Sequence, residues 1–267
     1  MYMNNKTVKF TVKLGAILAI MLIFTPSAFA NDHDNNPQNK ADVFPPYSYP
    51  YGKSYGDWSA EWWKWAISIP ANNEHPFNDP NWDCGVSNHQ QSGKVWYLVG
   101  AFTAVFPAPP GQEKTYSCKV PTGKAIFFPV MNTECSNVEH GTIWYAANEH
   151  DARQCAERLT SGPVSYFVDL EVIVDGKRVR NVERYRFQSP YFTYDLPQPN
   201  ILGASETQGK SVSDGYWIML APLSNGKHTV TFRGRQVSDR SNPDNTQQFA
   251  SDVTYNLKVV DGDPGHK

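Results

Sequence analysis

The chain reads Ser165-Tyr-Phe-Val-Asp-Leu-Glu-Val-Ile-Val174, then Asp175-Gly176, then Lys177-Arg-Val-Arg-Asn-Val182. Apolar and polar residues alternate in the first segment, which is the pattern of a half-buried strand. Asp-Gly is a favoured dipeptide for a two-residue hairpin turn, so the third segment is expected to return beside the first. This hairpin predicts that the second half of the chain is a β-sheet structure.

More strands are predicted on both sides of this hairpin. Each is a run rich in β-branched and aromatic residues, bounded by Gly, Pro or Asn clusters. Short strands separated by turns favour an antiparallel β-sandwich, either jelly-roll or immunoglobulin-like. The further predicted strands are Val95–Phe102, Lys114–Val120, Ala125–Met131, Arg184–Tyr194 (interrupted by Pro190), Tyr216–Ala221, His228–Arg233 and Phe249–Val260.

Two short helices are predicted in the N-terminal half. The first begins after Asp57, a good N-cap, and ends before Pro70. Its apolar residues recur at helical spacing, which is more typical of a core face than of a sugar platform. Trp63 lies outside this stripe, and we expect it to be exposed. The stripe consists of Trp58, Trp62, Trp65 and Ile69.

The second helix is predicted from Glu149 to Thr160, with Asn148 as its N-cap and Gly162 after its end. We expect residues 57–267 to form one β-rich domain. The helix-bearing part either decorates the sandwich or packs as a lobe of its own, with a division near residue 162.

Residues 1–30 have the pattern of a cleavable signal peptide. An uncharged apolar run from Leu14 to Phe24 precedes Ala28-Phe29-Ala30, which fits the specificity of signal peptidase. The run is too short to span a bilayer about 30 Å thick, which disfavours an uncleaved anchor. We therefore predict cleavage after Ala30 and a secreted or periplasmic protein. The positive charges before the run are Lys6, Lys9 and Lys13.

Charge disfavours two classes of partner. The whole chain has 24 basic and 26 acidic side chains, and cleavage after Ala30 removes three lysines and no acid. A mildly acidic mature protein lacks the basic footprint of nucleic-acid binding proteins. Basic residues are scattered along the sequence, which also disfavours an anionic membrane surface as the partner.

The chain contains four cysteines. In an exported protein an even number predicts disulfides, and four cysteines allow three connectivities. Sequential pairing closes two local loops, so we favour Cys84–Cys118 and Cys135–Cys155. A zinc site is disfavoured because the sequence has no C-x-x-C motif.

Residues 31–56 are predicted to form an extended arm, because prolines fix the backbone and remove hydrogen-bond donors. Tyrosines alternate with prolines in this arm and are candidates for ligand contact. Trp82, in a polar turn beside Cys84, could stack on a ligand ring or pack over a disulfide. The candidate ligand-binding residues are Tyr47, Tyr49, Tyr51, Trp63 and Trp82.

Cleavage after Ala30 would expose Asn31-Asp32-His33 at a new N-terminus. The amine, two backbone amides and the imidazole of His33 could bind Cu(II) or Ni(II) in a square plane of nitrogens. A third-position histidine also arises by chance, and no other cofactor is predicted.

No catalytic motif is evident, but one acidic region is a candidate. His140, His150 and Glu134 lie near Cys135 and Cys155 in the sequence, and a disulfide there could hold them together. Histidines beside acids are more often solvated loop residues than a catalytic site.

Several motifs resemble a family of bacterial exported proteins without assigned function. They are Trp58-Ser-Ala-x-Trp-Trp-x-Trp65, Gly93-Lys-Val-Trp96, Cys118-x-Val-Pro-x-Gly-Lys-Ala-x-Phe-Phe-Pro129, Asp214-Gly-Tyr-Trp217 and Pro222-Leu-x-x-Gly-Lys-His-Thr-Val230. The resemblance spans most of the mature chain and implies export and one shared architecture, but no activity.

The sequence favours a non-catalytic binding or surface-associated protein, whose partner is a polysaccharide or an envelope protein. Two alternatives stay open: a glycosidase-like hydrolase with paired carboxylates, and a purely structural envelope protein.

Overall fold

The structure, a computed structural model, describes residues 42–71, 75–77, 91, 93–100, 114–163, 165–242 and 247–262. All of these residues fall within one unit of tertiary contacts, Asn36–Lys267. The helices are α1 (Tyr55–Ser68) and α2 (Glu149–Ser161). The strands are β1 (Val95–Tyr97), β2 (Lys114–Pro121), β3 (Ala125–Ser136), β4 (Ser165–Val174), β5 (Lys177–Arg178), β6 (Arg186–Gln188), β7 (Phe192–Asp195), β8 (Gln208–Leu220), β9 (Gly226–Val237) and β10 (Gln247–Val260).

The strands form two sheets. Sheet A has the order β1-β3-β8-β6, and β7 pairs with β8 beside β6; sheet B has the order β2-β10-β9-β4-β5. The predicted mainly-β fold with two helices is confirmed. Two pairs, β1 with β3 and β2 with β10, are parallel, so both sheets are mixed. Parallel partners lie far apart in the chain and leave no turn signal in the sequence, so the sequence predicted antiparallel pairing throughout.

The hairpin that predicted the fold is present between β4 and β5. Asp175 and Gly176 both have positive φ, 50° and 75°, as the favoured two-residue hairpin turn requires. The returning strand is short, because only Ile173 and Val174 pair with it. The chain then turns towards sheet A through a 3₁₀ helix, Val182–Tyr185.

Strand β3 is buried on both faces. Phe127 stacks on Trp217 of β8 at 5.3 Å between ring centroids, on the face covered by α1. The next residue, Phe128, points the other way and stacks on Phe232 of β9 at 4.6 Å. Because successive strand residues face opposite sides, this pair shows that sheet A lies between α1 and sheet B.

Helix α1 covers sheet A with the predicted tryptophan stripe. Trp62 is 1% exposed, contacts Trp217 at 5.5 Å and donates a hydrogen bond to the carbonyl of Leu98 at 2.8 Å. The helix begins earlier than predicted. Ser54 is its N-cap, and Asp57 completes a capping box instead of capping the helix alone.

Helix α2 and the disulfide agree with the prediction. Asn148 caps the helix and Gly162 follows its end. Cys135 of β3 and Cys155 of α2 are joined by a disulfide. Cys118 is buried in the core, and its predicted partner Cys84 lies outside the described residues.

We predict that Phe128→Ala lowers the free energy of unfolding by about 3–5 kcal/mol, because it leaves a cavity between the two sheets. Urea unfolding followed by tryptophan fluorescence measures the change. Tyr49→Ala, at a site 70% exposed, is the control and should stay within about 0.5 kcal/mol of the native protein. Equal losses for the two variants would contradict the central role of the Phe128 contact.

Candidate functional site

Three tyrosines of the predicted arm project into solvent and are called the tyrosine surface. Tyr47 is 75% exposed, Tyr49 70% and Tyr51 40%. Large apolar rings exposed in sequence neighbours are a feature of binding surfaces, since burial normally removes them from water. The arm therefore presents aromatic faces to solvent, and their contact with a ligand stays a prediction.

The backbone beneath these rings is fixed by a turn. The amide of Ser48 donates to the carbonyl of Pro45 at 3.1 Å, and the Ser48 hydroxyl donates to the same oxygen at 2.6 Å. A 3₁₀ helix, Pro50–Gly52, follows, and the indole of Trp58 donates to the carbonyl of Pro50 at 2.9 Å. The rings are therefore carried on a segment tied to α1.

Tyr51 has a φ of 55°, a left-handed conformation that is uncommon for a side chain of this size. Its ring meets the edge of Phe44 at 6.0 Å and of Trp58 at 6.5 Å, and the Lys94 ammonium lies 5.7 Å from its centroid. Strained backbone of this kind persists only where surrounding contacts hold it. Tyr51 is thus held in one place while two-fifths of it remains exposed.

A polar cleft of about 380 Å³ lies between α1 and the segment that leads into β7. Lys53 contributes to the cleft and also lies 5.2 Å from the Trp58 ring, which contacts Tyr51. The cleft therefore adjoins the tyrosine surface. Its lining residues are Lys53, Asp57, Ala60, Glu61, Lys64, Pro190, Tyr191, Phe192 and Thr193.

The charges in this cleft are paired. Lys53 and Lys64 each approach a different oxygen of Glu61 at 3.2 Å. Although partial burial opposes ionisation, these two lysines hold the pKa of Glu61 below its usual value. Glu61 therefore stays ionised and accepts hydrogen bonds, and it is poorly suited to donate a proton as a general acid.

Other predicted ligand-binding residues have different outcomes. The expected exposure of Trp63 is wrong: it is 7% exposed and packs edge-on against Trp62 at 5.1 Å. Trp63 lies outside the tryptophan stripe but is still buried, because most of the circumference of α1 is covered by other residues. Trp82 lies outside the described residues, and so does the predicted copper or nickel site at Asn31, Asp32 and His33.

The acidic region near the disulfide contains a buried carboxyl pair. Glu134 is 4% exposed, and its side chain is hydrogen-bonded to that of Glu139. Ser136 donates a hydrogen bond to Glu139 at 2.8 Å. Burial, followed by the charge of Glu139, raises the pKa of Glu134 well above its usual range, and burial also raises the pKa of Glu139.

The histidines predicted beside this pair do not join it. His140 is exposed and bonds Glu206 at 3.0 Å, and His150 is exposed at the start of α2. The sequence did not indicate the pairing of Glu134 with Glu139, because a turn after β3 brings the second carboxyl back towards the first. Glycosidase carboxylates stand about 5–10 Å apart around the bond that they cleave. Two carboxyls in direct hydrogen-bond contact, one of them buried, do not have this geometry.

Within the described part of the chain, no helix is long and apolar enough to cross a membrane. The same residues contain no group of three or more His, Cys, Asp or Glu side chains that could hold a metal ion. Compared with known proteins, the chain matches no family model and no curated protein. The resemblance to exported bacterial proteins therefore stays a prediction.

We predict that the protein loses stability as the pH rises from about 4.5 through the raised pKa values of the carboxyl pair, because the folded state holds a proton that the unfolded chain releases. Glu134→Gln removes the titration of Glu134 and should reduce the slope, and the slope that remains comes from the buried Glu139. Urea midpoints measured across this range provide the test, with Glu183→Gln, an exposed carboxyl, as the control. A dependence in Glu134→Gln as steep as that of the native protein would contradict the assignment.

Proposed function

We propose that the mature protein is an exported, non-catalytic glycan-binding protein whose ligand stacks on the tyrosine surface. The observation that carries this proposal is the exposure of Tyr47, Tyr49 and Tyr51 on a hydrogen-bonded turn. Tyrosine offers a rigid apolar face and a polar edge, which suits a sugar ring that has an apolar face and hydroxyls around it.

The polar cleft supports the same assignment. Its ammonium groups and the ionised Glu61 offer donors and acceptors beside the aromatic rings. A few polar groups next to an apolar contact area are the usual composition of a small-molecule or sugar site. The cleft volume of about 380 Å³ has room for one or two sugar rings at the end of the stack.

Rigid placement favours binding energetically. Each side chain that is ordered only on binding costs about 0.5–1.5 kcal/mol. The turn at Ser48 and the contacts of Tyr51 reduce this cost, since the backbone and one ring are fixed before the ligand arrives.

The hydrolase alternative has less support. The described carboxyl pair, Glu134 and Glu139, is in direct contact and largely buried, and the pKa of Glu61 is lowered. Neither arrangement supplies the separated acid and nucleophile of a glycosidase. A purely structural role in the envelope would not explain why the rings of Tyr47, Tyr49 and Tyr51 are exposed.

Export is part of the proposal. It rests on the signal-peptide pattern of residues 1–30 and on the disulfide Cys135–Cys155, because such bonds persist mainly in oxidising compartments.

We predict that the double variant Tyr47→Ala/Tyr49→Ala binds glycan at least about tenfold more weakly than the native protein, because two stacking faces are lost. The affinities are measured by depletion of the protein from solution by insoluble polysaccharides (cellulose, chitin and peptidoglycan). Tryptophan fluorescence and released reducing ends are followed in the same samples.

The matched control is Tyr145→Ala, which removes a ring 40% exposed in a second exposed apolar segment, Ile143–Tyr145, and so tests whether any exposed ring is sufficient. It should bind as the native protein does. Failure of the native protein to bind any polysaccharide, or equal binding by all three proteins, would contradict the proposal. Release of reducing ends would replace it with the hydrolase.

Expression in a bacterium should yield a mature protein that begins at Asn31. Ala28→Leu/Ala30→Leu should accumulate a precursor that retains residues 1–30, since signal peptidase requires small residues there. Mass spectrometry of cell fractions distinguishes the two forms. Native protein found at full length in the cytoplasm would contradict export.

A further inference from the structure

Three lysines form a row across the outer face of sheet B. Lys258 of β10 is aligned with Lys119 of β2 on one side and with Lys227 of β9 on the other. All three side chains are exposed. The neighbours of Lys119 and Lys258 on their strands are buried, whereas Lys227 lies between Gly226 and the partly buried His228. We call these residues the lysine row.

The lysine row is electrostatically unfavourable on its own. Adjacent strands are about 4.8 Å apart, and like charges placed directly opposite each other destabilise a sheet. Among the described residues, none of the three lysines takes part in an ion pair. Protection of a sheet edge would explain Lys119, because β2 is an edge strand. It does not explain Lys227 or Lys258, which lie on inner strands.

Two further rows beside the lysines are polar and uncharged. Their hydroxyl and amide groups can bond to sugar hydroxyls, and one pair is already joined, Thr231 with Thr254 at 2.8 Å between hydroxyl oxygens. This face therefore combines a line of positive charge with a field of neutral hydrogen-bonding groups. The two rows are Ser117, Asn256 and Thr229, and Thr115, Thr254 and Thr231.

We propose that the lysine row binds a linear polysaccharide with one carboxylate on each sugar, a polyuronate. The chain would run across the strands, along the line of ammonium groups, which spans two strand spacings of about 4.8 Å each. Carboxylates of the bound chain lie over this line of positive charge, which relieves the repulsion between the lysines. This surface is separate from the tyrosine surface and does not depend on it.

The test uses the mature protein with polygalacturonate as the probe, by calorimetry at low and high salt. Lys119→Gln/Lys227→Gln/Lys258→Gln should weaken binding at least about tenfold and reduce its salt dependence. The matched control, Arg158→Gln/Arg184→Gln/Lys210→Gln, removes the same charge from exposed sites elsewhere and should change affinity less than about twofold. Fully methyl-esterified polygalacturonate should not bind.

Stability separates a binding role from misfolding. The lysine variant should melt at or above the native temperature, because its substitutions remove a repulsion. Equal polygalacturonate affinity in the lysine variant and the native protein would overturn the proposal. So would equally tight binding of duplex DNA, since the row would then respond to charge alone.

The same titration with Tyr47→Ala/Tyr49→Ala keeps the two proposals distinguishable. Retention of polygalacturonate binding by this variant supports a separate lysine surface. If the tyrosine variant loses polygalacturonate binding while the lysine variant keeps it, the lysine-row proposal is overturned. The tyrosine surface is then the glycan site. A third outcome is that only the lysine variant loses polygalacturonate binding and that no glycan binds more weakly to Tyr47→Ala/Tyr49→Ala. That outcome supports the lysine row and contradicts the function proposed above.

Discussion

The burial of both faces of sheet A is the constraint on which the rest of the structure depends. Consecutive residues of β3, Phe127 and Phe128, stack in opposite directions, one among the rings beneath α1 and the other on Phe232 of sheet B. A strand buried on both sides needs two covering layers, and burial of each aromatic ring contributes about 1.5–3 kcal/mol. The tryptophans of α1 are therefore a core layer.

This arrangement limits where ligand chemistry can occur. With sheet A covered, the described surfaces open to a ligand include the segments that border α1, the outer face of sheet B and the exposed residues Ile143–Tyr145 after β3. The tyrosine surface belongs to the first class and the lysine row to the second. The carboxyl pair of Glu134 and Glu139 lies instead at the buried end of β3, beside the disulfide to α2, and burial raises the pKa of both carboxyls.

Local patterns predicted the elements well and their partners poorly. Asp175-Gly176 predicted the β4–β5 hairpin, and Asn148 with Gly162 predicted α2 almost to the residue, because turns and caps involve only neighbouring residues. The parallel pairing of β2 with β10 joins residues far apart in the chain, and no local pattern indicates it. The exposure of Trp63 was wrongly predicted for a related reason, since helical periodicity shows one buried face but not how many layers cover the helix.

The sequence by itself determined the strand-rich composition and the tryptophan stripe, and it favoured the disulfide Cys135–Cys155 among three possible connectivities. Each depends on residue types and short spacings. Tertiary structure decided which charges from distant parts of the chain lie side by side. Lys119, Lys227 and Lys258 are scattered in the sequence, yet strand register places them in one row. The buried side chains of sheet B fix the register between its strands. The same register aligns the exposed lysines on the outer face, although the buried side chains do not contact them.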